Sequence, residues 1–429
     1  MSRFQTIFLG ILIVLGVAGA VVFATSKNRG TESATPVVMW GTFPTTMVDG
    51  LLSEANLNYK DTVNVSYIEK PYASFESELI SALARGQGPD MVLIPQDLIV
   101  KQLDKYYIVP FESYSERDFR NSFIQEGELF LASTGIIGFP LAIDPMVMYW
   151  NRDILTNEGV SLPPASWTEF FSLAPKIVKK DGNGNISQAI LAFGEFRNVS
   201  HAKEILSLLA MQAGTPIVAK ASAGGYQSVF SARGSGLVPG EEAVSYFTEF
   251  SNPSKASYSW NRSLPLDRTA FLAGRLAFYF GYASELTSLR AANPNLNFDV
   301  AMVPQVAGKK LTFGRIHGIA LLKSSPNVAS AYLAATTLVS SPLQQTWVAK
   351  SGYPPVRRDL LSVIPGDAYK SVFYQSALVS SAWLDPYREA TDGIFLRLVE
   401  GVTSGRLRVS EAVSAASTEI QSLLLNTNI

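Results

Sequence analysis

From Val37 onward, short apolar runs rich in β-branched residues alternate with segments whose apolar residues recur at helical spacing. A strand of continuous apolar residues has no polar face to give to water, so this alternation calls for a sheet covered by helices on both sides. Val37–Trp40, Val63–Ile68 and Met91–Ile94 read as strands. Pro44–Ala55 and Phe75–Arg85 read as the intervening helices, the second with Phe75, Leu79, Ile80 and Leu83 on one face and Gly86 or Gly88 at its end. Ile136–Phe139 and Met146–Asn151 follow as paired strands, and Ser166 with Glu169 forms a capping box for a helix from Trp167. Ala202–Gly214, Ala329–Val339 and Val409–Leu425 read as further helices. The fold class is α/β, and 429 residues suit about two domains at roughly 100–200 residues each.

Composition excludes several kinds of chemistry. There is no cysteine, so disulfides, thiolate metal sites, cysteine nucleophiles and a lipid-bearing N-terminal cysteine are all ruled out. Two histidines leave little material for a metal or triad enzyme, and no cofactor is expected. A net charge of −1 argues against a nucleic-acid partner, which a basic face would recognise.

Ile7–Ala24 is an 18-residue run without a charge. As a helix it would span about 27 Å, enough for a hydrocarbon core. It reads as an uncleaved membrane anchor, or as a signal peptide cleaved after Ala24, since Val22-Phe23-Ala24 fits the small-residue cleavage rule. Arg3 before it and Lys27 and Arg29 after it leave the orientation open. Residues 25–35 read as a flexible tether. No second apolar run of comparable length follows, so the remainder is expected outside the cytoplasm.

The local motifs are mostly bland. Asp181-Gly-Asn-Gly-Asn185 starts like a calcium loop, but Ile186 and Ala192 stand where that loop needs glycine and glutamate. It reads as a turn in a hairpin. Gly234-Ser-Gly236 lacks the third glycine of a dinucleotide fingerprint, and no nucleophile elbow occurs. His201 reads as a helix-start residue. His317 lies beside Arg315 between glycines, where polar residues can line a cleft. Among the aromatics, Trp40, Trp260, Tyr279 and Tyr282 sit at strand or turn ends. In α/β sheets the carboxyl ends of strands face the ligand crevice, which favours Trp40 and Gln96–Asp97 over a mid-helix ring. A flat ring with a polar edge can stack on a sugar, and carboxylates accept bonds from its hydroxyls.

The order of several segments resembles the extracellular solute-binding proteins of ABC importers, in the group that includes maltose-binding protein. The carriers are Leu79–Ile94 (LISALARGQGPDMVLI), Gly138–Leu155 (GFPLAIDPMVMYWNRDIL) with Leu162–Trp167, and Phe271–Gly281 (FLAGRLAFYFG) with Asn297–Pro304 behind it. Gly405–Ala412 is similar to the family's last helix. The resemblance covers nearly all of the chain after the tether. It implies a two-lobe periplasmic-binding-protein fold with one ligand closed between lobes. The first lobe would comprise residues 36–142 and 317–342, the second 143–316 and 343–429, after the N-terminal helix 1–24. The crossings would fall near Ala142–Asp144, Gly314–Ile319 and Ser340–Val348.

By the same resemblance, Asp97 stands where sugar-binding members place a hydroxyl-binding aspartate, and Asp144 where they place an acidic hinge residue. Tyr282 stands at a stacking aromatic, and Trp40 to Phe43 at the first-strand loop. Phe193–Asn198 aligns loosely with a cleft segment. Trp260 would stack on ligand or pack beneath the cleft, and Arg315 and His317 complete the expected ligand-binding set. Either carboxylate could instead cap a helix or serve the hinge. The expectation is a monomeric, non-enzymatic binding protein held at the membrane by its N-terminal helix. It would deliver a small solute, a sugar or oligosaccharide, to an ABC permease. The rivals are a secreted carbohydrate-active enzyme using Asp97 and Asp144, and a ligand-sensing module without a permease. Arg315 leaves a phosphate-bearing ligand open.

Overall fold

The computed structural model describes residues 34–425, apart from 223 and 235. The run Ile7–Ala24 lies outside the described residues, and no helix among those described is long and apolar enough to cross a membrane.

The chain opens with β1 (Val37–Gly41), α1 (Thr45–Asn58), β2 (Val65–Glu69), α2 (Tyr72–Ala84) and β3 (Met91–Pro95). β1 lies between β2 and β3, parallel to both. Every residue of β3 is buried, which explains its unbroken apolar sequence. Next come β4 (Gly138–Asn151), β5 (Ile186–Leu191), α3 (Ala202–Ala213), β6 (Leu276–Tyr282), α4 (Glu285–Ala292) and β7 (Thr312–Leu322). The chain ends with α5 (Ser341–Ser351), α6 (Arg388–Thr403) and α7 (Val409–Leu425). One sheet runs through the whole molecule in the order β2–β1–β3–β7–β4–β6–β5. Before β5, Lys179–Lys180 pairs antiparallel with it around the Asp181 turn, where Asp181 Oδ1 accepts the Asn183 and Asn185 N–H groups at 2.9 Å each.

The sheet serves two separate hydrophobic cores. Leu141, Ala142 and Ile143 of β4 belong to the first and Met146–Tyr149 to the second. Antiparallel β7 makes the reverse passage, with Phe313 in the second core and Ile316 in the first. The two strands cross with Arg315 opposite Asp144 and His317 opposite Ala142, and the register shifts between His317 and Gly318. A side chain at Gly318 would meet the Phe130 ring, 2.6 Å from its nearest atom, so that position needs glycine, while one at Gly314 would displace the Glu126 carboxylate. Gln96, just beyond β3, fixes the crossing: its side-chain amide accepts from Ile316 N–H at 2.7 Å and donates to Gly314 C=O at 3.1 Å.

The return to the second lobe falls later than residue 343. Leu343, Trp347, Val356 and Leu361 all lie in the first core. Leu343 and Trp347, four apart, share the inner face of α5, which packs on α1. The expected crossing near Ser340–Val348 is thus replaced by one near residues 373–384, where Phe373 and Trp383 lie in the second core, Ala377 and Leu384 in the first. Ser380–Ser381 runs parallel to β7 there.

Candidate functional site

β3 ends at the boundary between the two cores, and Gln96 and Asp97 follow it at the floor of a cleft. In a strand alternate side chains share a face, so Arg315 and His317 of β7 both point into that cleft while Gly314 backs onto Glu126. Tyr72, at the start of α2, closes the first-lobe side. The second lobe contributes Lys203 and Glu204 from the first turn of α3, and Trp383, Asp385 and Arg388 from the segment entering α6. Together they enclose about 190 Å³.

Charged side chains link the two walls. Asp97 Oδ2 accepts the Tyr72 hydroxyl at 2.8 Å and Arg388 Nη1 at 3.1 Å, the latter bond joining the lobes. Glu204 Oε1 accepts Arg315 Nη2 at 2.9 Å, with Arg388 Nη2 at 3.8 Å. Burial alone would raise the Glu204 pKa, but Arg315, His201, Lys203 and Arg388 outweigh it and hold the carboxyl at about 2. The Arg315 guanidinium lies 3.9 Å from the Tyr282 ring centroid. Lys203 Nζ is held by Asp385 at 2.9 Å, Asp392 at 2.5 Å and the Thr391 hydroxyl at 3.1 Å. His317 is buried beside Arg315, both of which push its pKa down to about 4, so it is neutral at physiological pH. The cleft therefore presents cations whose charge is already matched by carboxylates. Two polar atoms are left over: Asp97 Oδ1 and His317 Nδ1 are buried without a hydrogen-bond partner among the described residues.

The expected site residues divide into three groups. Asp97, Arg315 and His317 line the cleft. Tyr282 and Phe43 lie one layer behind it: Tyr282 is buried under Arg315, and Phe43 packs 4.4 Å from the His317 ring and 5.5 Å from Trp347. The others are elsewhere. Asp144 caps α4, accepting the Ser284 N–H at 3.0 Å and hydroxyl at 2.6 Å, with burial pushing its pKa up to about 6. Trp40 carries Lys70 Nζ 4.2 Å from its ring and lines a separate hollow with Ser77 and Glu78. Trp260 is a core residue beside Ala189 and Leu264. In the loosely aligned segment, Phe193 is core and Asn198 bonds the Asn261 and Leu264 carbonyls. His201 precedes α3 and meets Glu285 at 2.8 Å.

Tyr72, Lys203, Glu204, Trp383, Asp385 and Arg388 line the cleft without having been expected there. The pair Lys203-Glu204 did carry a signal, two charges at the head of an otherwise apolar helix. Arg388 carried none, since it meets Asp97 from 291 positions away. Among the described residues no group of three or more His, Asp or Glu side chains is placed to hold a metal ion.

Known proteins agree with this architecture. The solved cyclo/maltodextrin-binding protein complexed with maltotetraose superposes with a TM-score of 0.73 at 17% identity, covering 90% of this chain and 96% of that one. A sugar-binding protein of the phytopathogen Xanthomonas citri gives 0.74 at 18% identity, covering 91% and 98%. A Brucella abortus (strain 2308) protein named only for binding is 21% identical over 309 residues, 69% of each chain. The model of the bacterial extracellular solute-binding protein family matches residues 53–371. With that match spanning most of its length, the chain belongs to the bacterial extracellular solute-binding proteins.

Proposed function

We propose that this protein captures an uncharged, polyhydroxylated solute, a sugar or short oligosaccharide, between its two lobes and delivers it to an ABC permease on the extracytoplasmic side of the membrane. The observation that carries the reading is the electrostatic state of the cleft. Arg315 and Arg388 are already paired with Glu204 and Asp97, so an anion would have to compete with these half-buried ion pairs to enter. Asp97 Oδ1 remains a buried acceptor in want of a donor, which a sugar hydroxyl supplies. Neighbours of the same fold solved with maltotetraose and mannotriose support a carbohydrate ligand.

Capture then follows from hinge closure. A ligand touching Asp97 on one lobe and Arg388 on the other is bound fully only when the walls approach, so it shifts the population towards the closed form. The apolar run Ile7–Ala24 serves as the anchor or leader that keeps the lobes outside the cytoplasm. Asp144 is committed to Ser284 and does not line the cleft that holds Asp97, so the carboxylate-pair enzyme gains no support from the geometry. The test is a thermal-shift screen of the full chain against mono- and oligosaccharides, polyols and organic anions, because a ligand of the native state raises the melting temperature. Stabilisation by saccharides is expected. Stabilisation by anions alone refutes the proposed substrate class.

A further inference from the structure

Two contacts, side by side, join the segment after β3 to the segment entering α6. The first is the Asp97–Arg388 pair inside the cleft. The second lies outside it: Lys101 Nζ stands 3.8 Å from the centroid of the Tyr387 ring. Neither Lys101 nor Tyr387 lines the cleft, and both side chains are partly exposed.

Each partner is braced within its own lobe. Ile99 and Val100 seat the chain before Lys101 in the first core, and Lys101 Nζ and Gln102 Nε2 both bond the Glu76 carboxylate of α2, the latter at 2.9 Å. On the other side Tyr387 N–H bonds Asp385 Oδ1 at 3.1 Å. Lys203 of α3, itself paired with Asp385, reaches the Arg388 carbonyl at 3.4 Å, and α6 continues into the second core through Ile394 and Phe395. Groups positioned in advance lose little side-chain freedom when they meet, so more of their attraction is kept. An exposed ammonium over a ring face is worth roughly a twofold to fivefold bias in an equilibrium. We propose that Lys101 and Tyr387 form a clasp on the rim of the cleft that favours the closed arrangement without touching the ligand. The proposal rests on the reading that the two lobes part and close. A solute in the cleft competes for Asp97 and Arg388, whereas the clasp is indifferent to what the cleft holds, so it scales the closed population by the same factor for every ligand.

The sequence has no cysteine, so Pro95→Cys places a single thiol in the cleft wall, at a buried position at the end of β3. The rate at which an aromatic disulfide reagent modifies that thiol follows the fraction of molecules whose lobes have parted. It is measured on the full chain without saccharide, so its outcome is separate from that of the ligand screen. Lys101→Met and Tyr387→Leu, each made in the thiol-bearing chain, are expected to raise the rate by roughly twofold to fivefold. The double variant is expected to react no faster than either single one, because both remove the same contact. Lys101→Arg, which keeps a cation over the ring, is expected to leave the rate unchanged. Lys70→Met, which removes the cation over Trp40 within the first lobe, is expected to do the same. The proposal is overturned by an unchanged rate in Lys101→Met or Tyr387→Leu, by effects that multiply in the double variant, or by equal acceleration in Lys101→Arg or Lys70→Met.

Discussion

Glu204 lets the electrostatics of the cleft be read in a stability measurement. Its carboxyl is held at about 2 in the folded protein against an ordinary value of 4.5. At about 1.4 kcal/mol per pH unit that difference is worth about 3 kcal/mol of folding stability. The folded value lies below the ordinary one, so the stabilisation is complete well above pH 4.5 and is lost as pH falls towards 2. At pH 3 about three fifths of it is gone, because the unfolded chain has taken up its proton while the folded chain has only begun to. The perturbation is Glu204→Gln, which keeps the shape and removes the charge, leaving Arg315 without its 2.9 Å partner. Urea unfolding followed by far-ultraviolet circular dichroism at pH 7 and pH 3 gives the comparison. At pH 7 the variant should be less stable than the native sequence by about 3 kcal/mol, and at pH 3 by only about 1 kcal/mol. Carboxylates remote from Arg315 and Arg388 titrate alike in both proteins and cancel in the difference. A gap equal at the two pH values would refute the argument that Arg315 and Arg388 hold Glu204 ionised.

Asp97→Asn should reduce affinity for any saccharide found in the screen by roughly tenfold to a hundredfold in calorimetry, because a charged acceptor becomes a neutral one. His317, with its pKa near 4, should leave saccharide affinity flat between pH 5.5 and 8, and its ring resonances should titrate only near pH 4 in nuclear magnetic resonance spectra. Trp347→Ala, which empties a fully buried position in the first core, should cost about 3–5 kcal/mol in chemical denaturation. Gly314→Ala would drive a methyl group into the Glu126 carboxylate and should cost about 1–3 kcal/mol. Adding Glu126→Ala should recover most of that loss, and a strictly additive double variant would count against the contact.

Much of the fold was legible because it follows from local patterning. Short continuous apolar runs flanked by proline, such as Met91–Ile94, suit strands buried on both faces, and the helix after Glu169 announces itself through Ser166, whose N–H and hydroxyl both bond Glu169 Oε1, at 2.9 and 2.8 Å. The cleft was legible in part for the same reason. Asp97 follows a strand end, and Arg315 and His317 alternate on one strand, so their common face is a matter of period. Asp144 misled because a buried acid in a crossing strand looks the same in sequence whether it meets ligand or the N–H of Ser284, 140 positions later.

By itself, the sequence determined the α/β class, the absence of thiol chemistry, the two-lobe resemblance and the polar face of the crossing strand, all of which depend on residue type and short-range spacing. Only the tertiary structure decided that α5 belongs to the first core, that Trp40 and Trp260 stay out of the cleft, and that Arg388 reaches across it to Asp97. Those outcomes depend on side-chain packing between segments well separated in the sequence, and the energy of such a contact leaves no periodic trace in either partner. The free oxygen of Asp97 belongs to the same class. A missing partner becomes visible only when every neighbour of a group is known in space.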